Sequence, residues 1–195
     1  ILAETADTPE CHEYIKIIED NNYLLLQLIN DILDLSRIEA GLLDFSYTNV
    51  DVNECMRKLE DAFHFRMPAN VICVIELGMK KCHIHTEKNR LFQVLGNYFS
   101  NAIKYTSQGS ITIGYNPPRE GRLRFYVRDT GCGISPDKQQ TIFQRFVKLD
   151  TFKQGTGLGL SICQMIAEKM NATVGVSSEV GQGSEFWIEI PYEPV

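Results

Sequence analysis

The longest unbroken signal in the chain is helical. From Thr8 to Gly41 apolar residues return at the helical period, Pro9 and Glu10 suit a first turn behind a Thr8 cap, and Gly41 suits a stop. A helix of that length runs on the order of 45 Å. Ile15, Ile18, Leu25, Ile29 and Ile32 make one seam, and Leu24, Leu28, Leu35 and Ile38 widen it beyond a two-helix contact. Such a helix needs cover on more than one side: packing against its own domain is the plain alternative, and the favoured expectation is a bundle completed by helices outside this sequence or by a second copy.

After Gly41 the period changes. Strands fit residues 71–77, 83–86, 110–115, 122–129, 172–177 and 185–190, and helices fit 53–65, 87–105 and 157–170. The stretch "NPPREG" at 116–121 is a turn between two strands, so part of the sheet is antiparallel. The pattern predicts an α+β sandwich, with helices over one face of a mixed sheet. Two parts follow: residues 1–41, mainly one long helix, and the alternating strands and helices after Gly41.

Composition closes off other classes. The formal net charge of -6 argues against a general nucleic-acid or membrane-surface binder, so an anion site here has to be local. Six cysteines, at 11, 55, 73, 82, 132 and 163, contain no C-x-x-C pair and read as reduced core thiols of an intracellular protein. His83 and His85 share one face of a short strand without further ligands at metal spacing. No run approaches the roughly 20 apolar residues that span a bilayer, and no signal peptide is visible. The opening "ILAE" lacks methionine, which sets the expectation of a fragment with any sensor or membrane anchor upstream.

Three places break their local pattern. In the helix 87–105, Gln93, Asn97 and Asn101 stand at successive i, i+4 steps, with Lys104 and Tyr105 one turn on. Asparagine is a poor helix former, and its amide oxygen is an acceptable ligand for a hard cation such as magnesium, although a solvated face is the plain alternative. In "RLRFYVRDTGCGIS", Asp129 continues the parity of Leu123, Phe125 and Val127, which turns a carboxylate to the core side of the sheet. A buried acid needs donors, from an arginine, a turn amide or an adenine amino group, and the glycines at 131 and 133 let a flat ligand approach. Last, "KQGTGLGLSICQMIAEK" (153–169) brings glycines to a helix start, where bare amides and the macrodipole favour phosphate. The connection before it carries Phe143, Arg145, Phe146, Lys148 and Lys153, which suits a lid over an anion or a plain loop with a short helix.

Taken together, "NYFSNAIKYT" (97–106), "DTGCGIS" (129–135), "FQRF" (143–146) and "GTGLGLSI" (155–162) resemble the N, G1, F and G2 boxes of bacterial sensor histidine kinases, in the family's order. "INDILDLSRIEAG" (29–41) resembles the end of their second dimerisation helix. The resemblance implies a Bergerat ATP-binding fold over 46–195, shared with gyrase, Hsp90 and MutL ATPases. It implies ATP and Mg2+ as cofactors, with Asn97, Asn101 and Gln154 toward the metal and Lys104 toward a phosphate. Tyr105 would line the adenine, Asp129 would take its amino group, and Gly131 and Gly133 would shape that pocket. Arg145 falls among the lid residues, and Gly155, Thr156, Gly157, Leu158 and Gly159 form the phosphate-side hinge.

The resemblance also implies a homodimer through the helical unit, a response-regulator receiver domain as partner, and a cytoplasmic location. No H box of the form H-E-x-R-T-P occurs. His12-Glu13 lacks its trailing residues, and His64, His83 and His85 lie within the ATP-binding unit, so the phosphoacceptor is expected before Ile1. The alternatives are a catalytically idle nucleotide-binding module and another ATPase of the same superfamily.

Overall fold

The computed structural model describes residues 9–147 and 155–195. It opens with α1 (Pro9–Glu39), followed by β1 (Tyr47–Asp51), α2 (Val52–Phe63) and a short 3-10 turn (His64–Arg66). Next come β2 (Val71–Glu76), β3 (His83–Glu87), α3 (Lys88–Tyr105), β4 (Gly109–Tyr115) and β5 (Arg122–Asp129). The chain closes with α4 (Pro136–Gln139), α5 (Gly159–Lys169), β6 (Thr173–Glu179) and β7 (Gly183–Pro191). The Thr8 cap read from sequence lies outside the described residues.

Five strands form the main sheet in the order β2-β4-β5-β7-β6. Only β2 and β4 pair in parallel, and the other contacts are antiparallel, so the sheet is mixed as the pattern predicted. Its inner face is apolar by alternation. Ile111, Ile113, Leu123, Phe125, Val127, Phe186 and Ile188 are buried against Leu91, Leu95, Tyr98 and Phe99 of α3 and Ile162 and Ile166 of α5. Asp51 caps α2 by accepting from the amides of Asn53 and Glu54, and Glu87 caps α3 by accepting from Arg90 N.

β1 was not read from the sequence. It is five residues long, mostly exposed, and pairs antiparallel with β3 in a separate small sheet. Residues 193–195 lie along the other edge of β3, where His85 N donates to Glu193 O and Val195 N donates to His83 O. His83 and His85 are exposed on this sheet beside Asp51 and Asn49.

The outer face of the main sheet is roofed by its own side chains. Tyr126 points outward yet is 4% exposed, because it crosses Gly114 to hydrogen-bond Glu76. Trp187 lies flat over its cross-strand partner Gly175, and Arg124 stacks 4.1 Å above the indole while pairing with Glu189. A Cβ built on Gly175 would overlap the indole, so a side chain there displaces the ring. Gly175→Val should therefore lower stability by about 1–3 kcal/mol, the usual range for overpacking. Urea unfolding checks the loss, and Trp187, as the one tryptophan in the chain, should report a red-shifted emission in the folded variant.

Candidate functional site

The polar residues that broke the sequence pattern converge on one cleft between α3, the end of β5 and the glycine-led start of α5. Asn97, Asn101, Lys104, Tyr105, Asp129, Gly133, Gly155, Thr156, Gly157 and Gly159 all line it. Gly131 lies one step behind, in an adjoining pocket with Thr106 and Thr130. Leu158, expected in the phosphate-side hinge, is fully buried and does not line the cleft. Arg145 turns away from the cleft, with Nη1 2.6 Å from Glu39 and Nη2 3.8 Å from Met165 Sδ. Gln154, expected near a metal, lies outside the described residues.

At one end the cleft holds Asp129, 5% exposed on the core parity of β5. Its Oδ1 accepts from Gly131 N at 2.8 Å, and the carboxylate also accepts from the Ser184 amide. Burial pushes its pKa above the ordinary carboxylate value, and the two amide donors oppose that rise. Ile134, Ile142 and Phe186 supply apolar walls nearby. A carboxylate facing an apolar slot can fix one donor of a flat heterocycle.

The other end is polar and open to charge. Asn101 Nδ2 donates to Asn97 Oδ1 at 3.4 Å, which aligns the amide row along α3. The amide of Asn97 sits against Gly159, where a Cβ would collide with Nδ2, so only glycine lets α5 begin this close to α3. Gly155 approaches Lys104 in the same way, 2.9 Å from Nζ at the Cβ position. Among the described residues no side chain caps α5 at Leu158, which leaves the first amides of that helix for an anion.

Several lining residues carried no sequence signal. Ser184 and Phe186 reach the cleft from β7, more than 50 positions from Asp129, through strand pairing alone. Cys132, read as a core thiol, is exposed on the cleft wall, next to Gly133 at φ 68°. Gln93 leaves the row of Asn97 and Asn101: its Nε2 donates to Asp34 of α1 at 2.7 Å. Gln27 of α1 lines the cleft as well.

A mixed sheet packed with helices is the fold of solved histidine kinase catalytic domains, and the cleft, with a buried acid at one end and a glycine-led helix start at the other, is the candidate site. Residues 86–194 match the model of the histidine kinase-, DNA gyrase B- and HSP90-like ATPases, and the chain belongs to that family. Within it, this is the ATP-binding catalytic domain of a sensor histidine kinase. The circadian input-output histidine kinase CikA of Synechococcus elongatus is 37% identical over 195 residues, covering 94% of this chain and 25% of CikA. Full-length ShkA, solved in complex with AMPPNP, superposes with a TM-score of 0.82 at 32% identity, over 100% of this chain and 41% of ShkA. ThkA, solved in complex with the response regulator TrrA, gives 0.74 at 25% identity, over 98% of this chain and 54% of that structure's chain. The chain spans about a quarter of the length of the CikA relative it matches.

Proposed function

We propose that this cleft binds Mg-ATP, and that the whole protein passes the γ-phosphoryl group to a histidine outside this chain and then to an aspartate of a response-regulator receiver domain. The observation that carries the reading is the polarity of the cleft. It has a buried carboxylate at the closed, apolar end, and an amide row, Lys104 and an uncapped helix start at the other. Adenine belongs at Asp129, with its amino group donating to the free side of the carboxylate and Tyr105 along its edge. The phosphates belong against Gly157 and Gly159, with the α5 amides donating to them and the Lys104 ammonium balancing their charge.

The donor set fits magnesium. Asn97 and Asn101 offer neutral amide oxygens, the hard ligands of a cation that keeps waters and phosphate oxygens in its shell. Among the described residues no three His, Cys, Asp or Glu side chains gather into a metal group, so such an ion would arrive with the nucleotide. When bound, magnesium supplies charge neutralisation on the phosphates. The chain's own residues align the triphosphate and keep water from its base end, which is most of what phosphoryl transfer requires.

The four histidines support an acceptor elsewhere, since His12 sits near the start of α1, His83 and His85 on the small sheet and His64 in the 3-10 turn, none of them lining the cleft. Exposed Tyr14, Ile18, Leu25, Ile29 and Ile32 along α1 support a homodimer through that helix. Light scattering that gives a monomer mass would count against that interface. No described helix is long and apolar enough to cross a membrane.

Amide-resolved NMR titration with ATP, with and without magnesium, tests the binding step. The expected result is saturable shifts at Asn97, Asn101, Gly131 and Gly159, with tighter binding when magnesium is present, whereas an unmoved spectrum would sink the reading. For transfer, label from γ-labelled ATP should appear as acid-labile phosphate only on a longer chain that restores upstream sequence. Bound nucleotide without label there would favour the idle module.

A further inference from the structure

Two carboxylates of α1 hold side chains at or beside the cleft: one takes Thr156 in the cleft wall, and the other holds Arg145 turned away from it. Asp31 Oδ2 accepts from Thr156 Oγ1 at 2.6 Å, and Glu39 lies 2.6 Å from Arg145 Nη1. The Thr156 oxygen also accepts from Leu158 N at 3.2 Å, so its single proton is committed to Asp31 and its lone pair to the hinge. One turn before Asp31, Gln27 stands in the wall of the cleft, and on the same helix Asp34 takes Gln93 and lies 3.8 Å from Arg90. Asp34 and Glu39 are thus ion-paired, and Asp31 is the carboxylate that meets a residue of the cleft wall.

The two contacts are unequal. Asp31 is half-buried, and the loss of water around it strengthens its field on anything nearby. The Glu39 to Arg145 pair is about half exposed on both sides, and solvent screens it. A triphosphate entering here meets a desolvated carboxylate one hydrogen bond from Thr156, while Glu39 keeps Arg145 outside the cleft. A nucleoside without phosphates reaches toward neither group.

Resting on the ATP-site reading above, we propose that Asp31 and Glu39 are specificity-determining residues of the nucleotide site. With α1 seated as it is, they withhold Thr156 and Arg145 from phosphate and set the cleft against polyphosphate charge, with Asp31 carrying the larger share. Triphosphate binding and seating of α1 then oppose each other, and linkage makes the opposition reciprocal: bound triphosphate loosens the helix by the factor that the helix weakens the triphosphate.

Calorimetric titration of the full chain tests this with two probes, AMPPNP with magnesium and adenosine, on the wild type, Asp31→Asn, Glu39→Gln and the double variant. Asparagine keeps the size and an acceptor at position 31 while removing the charge. The expected result is AMPPNP binding tightened about fivefold or more in the double variant, the low end of ordinary coupling, with most of the gain already in Asp31→Asn and adenosine affinity unchanged. Equal or weaker AMPPNP binding in the double variant overturns the proposal, and so does an equal gain for adenosine. If AMPPNP binds none of the four proteins, the ATP-site reading itself fails. A second measurement needs no variant: at saturating AMPPNP, wild-type amide shifts around 27–34 should move toward those of the free double variant, and α1 shifts that stay put overturn the coupling.

Discussion

Asp129→Asn is expected to weaken nucleotide binding at least about 100-fold, equivalent to roughly 3 kcal/mol, while leaving the fold as stable as before or slightly more so. In the wild type, the carboxylate accepts from Gly131 N and the Ser184 amide and keeps acceptor capacity for a ligand's amino group. Asparagine can satisfy the local amides with its oxygen, but it turns an NH2 toward an adenine NH2, so two donors face each other in a buried slot. The stability side follows from linkage. Burial raises the folded-state pKa of Asp129 above its unfolded value. Between those two values the folded chain binds the extra proton, so the wild type loses stability as pH rises through that window, and the loss is complete above it. An asparagine side chain does not titrate, so the variant escapes this loss. Calorimetry with AMPPNP should show the collapse in affinity, and thermal unfolding at pH 7 should give a midpoint no lower than the wild type's. Unchanged affinity would remove Asp129 from the site, and a large fall in midpoint would make it a structural residue.

Phe99→Ala should destabilise the fold more than Gly175→Val or any of the charge-removing variants. Phe99 is fully buried on α3, with its ring 4.9 Å from Phe63, and it belongs to the same apolar mass as Leu95, Tyr98 and the inner face of the sheet. Removing a buried phenyl ring typically costs about 3–5 kcal/mol, a large share of the roughly 5–15 kcal/mol that holds a domain folded. The same helix carries Asn97 and Asn101, two residues to either side, so the core face sets the height and rotation of the amide row. Urea unfolding should show the midpoint drop, and a saturating nucleotide should recover part of it, about 2.7 kcal/mol at 100 times Kd. Recovery by nucleotide would show that the variant still assembles the cleft. A loss under about 1 kcal/mol would mean that the core closes over the gap.

Local chemistry made most of this site legible in the chain. Asp129 could be placed on the core side because a strand alternates strictly, and its neighbours Phe125 and Val127 left no doubt of the register. Asn97 and Asn101 betrayed themselves as poor helix formers in mid-helix, and Gly159 as an entropically expensive residue at a helix start. What escaped depended on contacts far apart in sequence. Thr156 and Asp31 are 125 positions apart, and neither residue is unusual where it stands. Gln93 belongs to the amide row by spacing, yet Asp34 of α1, 59 positions away, claims it. β1 escaped for a different reason: a short strand with one buried valine has no pattern to detect until β3 lies beside it.

The small sheet has a mechanical meaning. β1 and residues 193–195 both run antiparallel to β3, one on each edge, so the strand that enters the ATP-binding unit from α1 and the strand that leaves it point the same way. A pull on α1 against whatever holds residue 195 therefore draws the two outer strands in opposite directions along β3, loading their hydrogen bonds side by side in shear. Hydrogen bonds loaded together yield at higher force than bonds peeled one after another. Motion of the helix is thereby delivered to the unit as a rigid tug on β3, whose last residue, Glu87, caps the helix that carries Asn97 and Asn101.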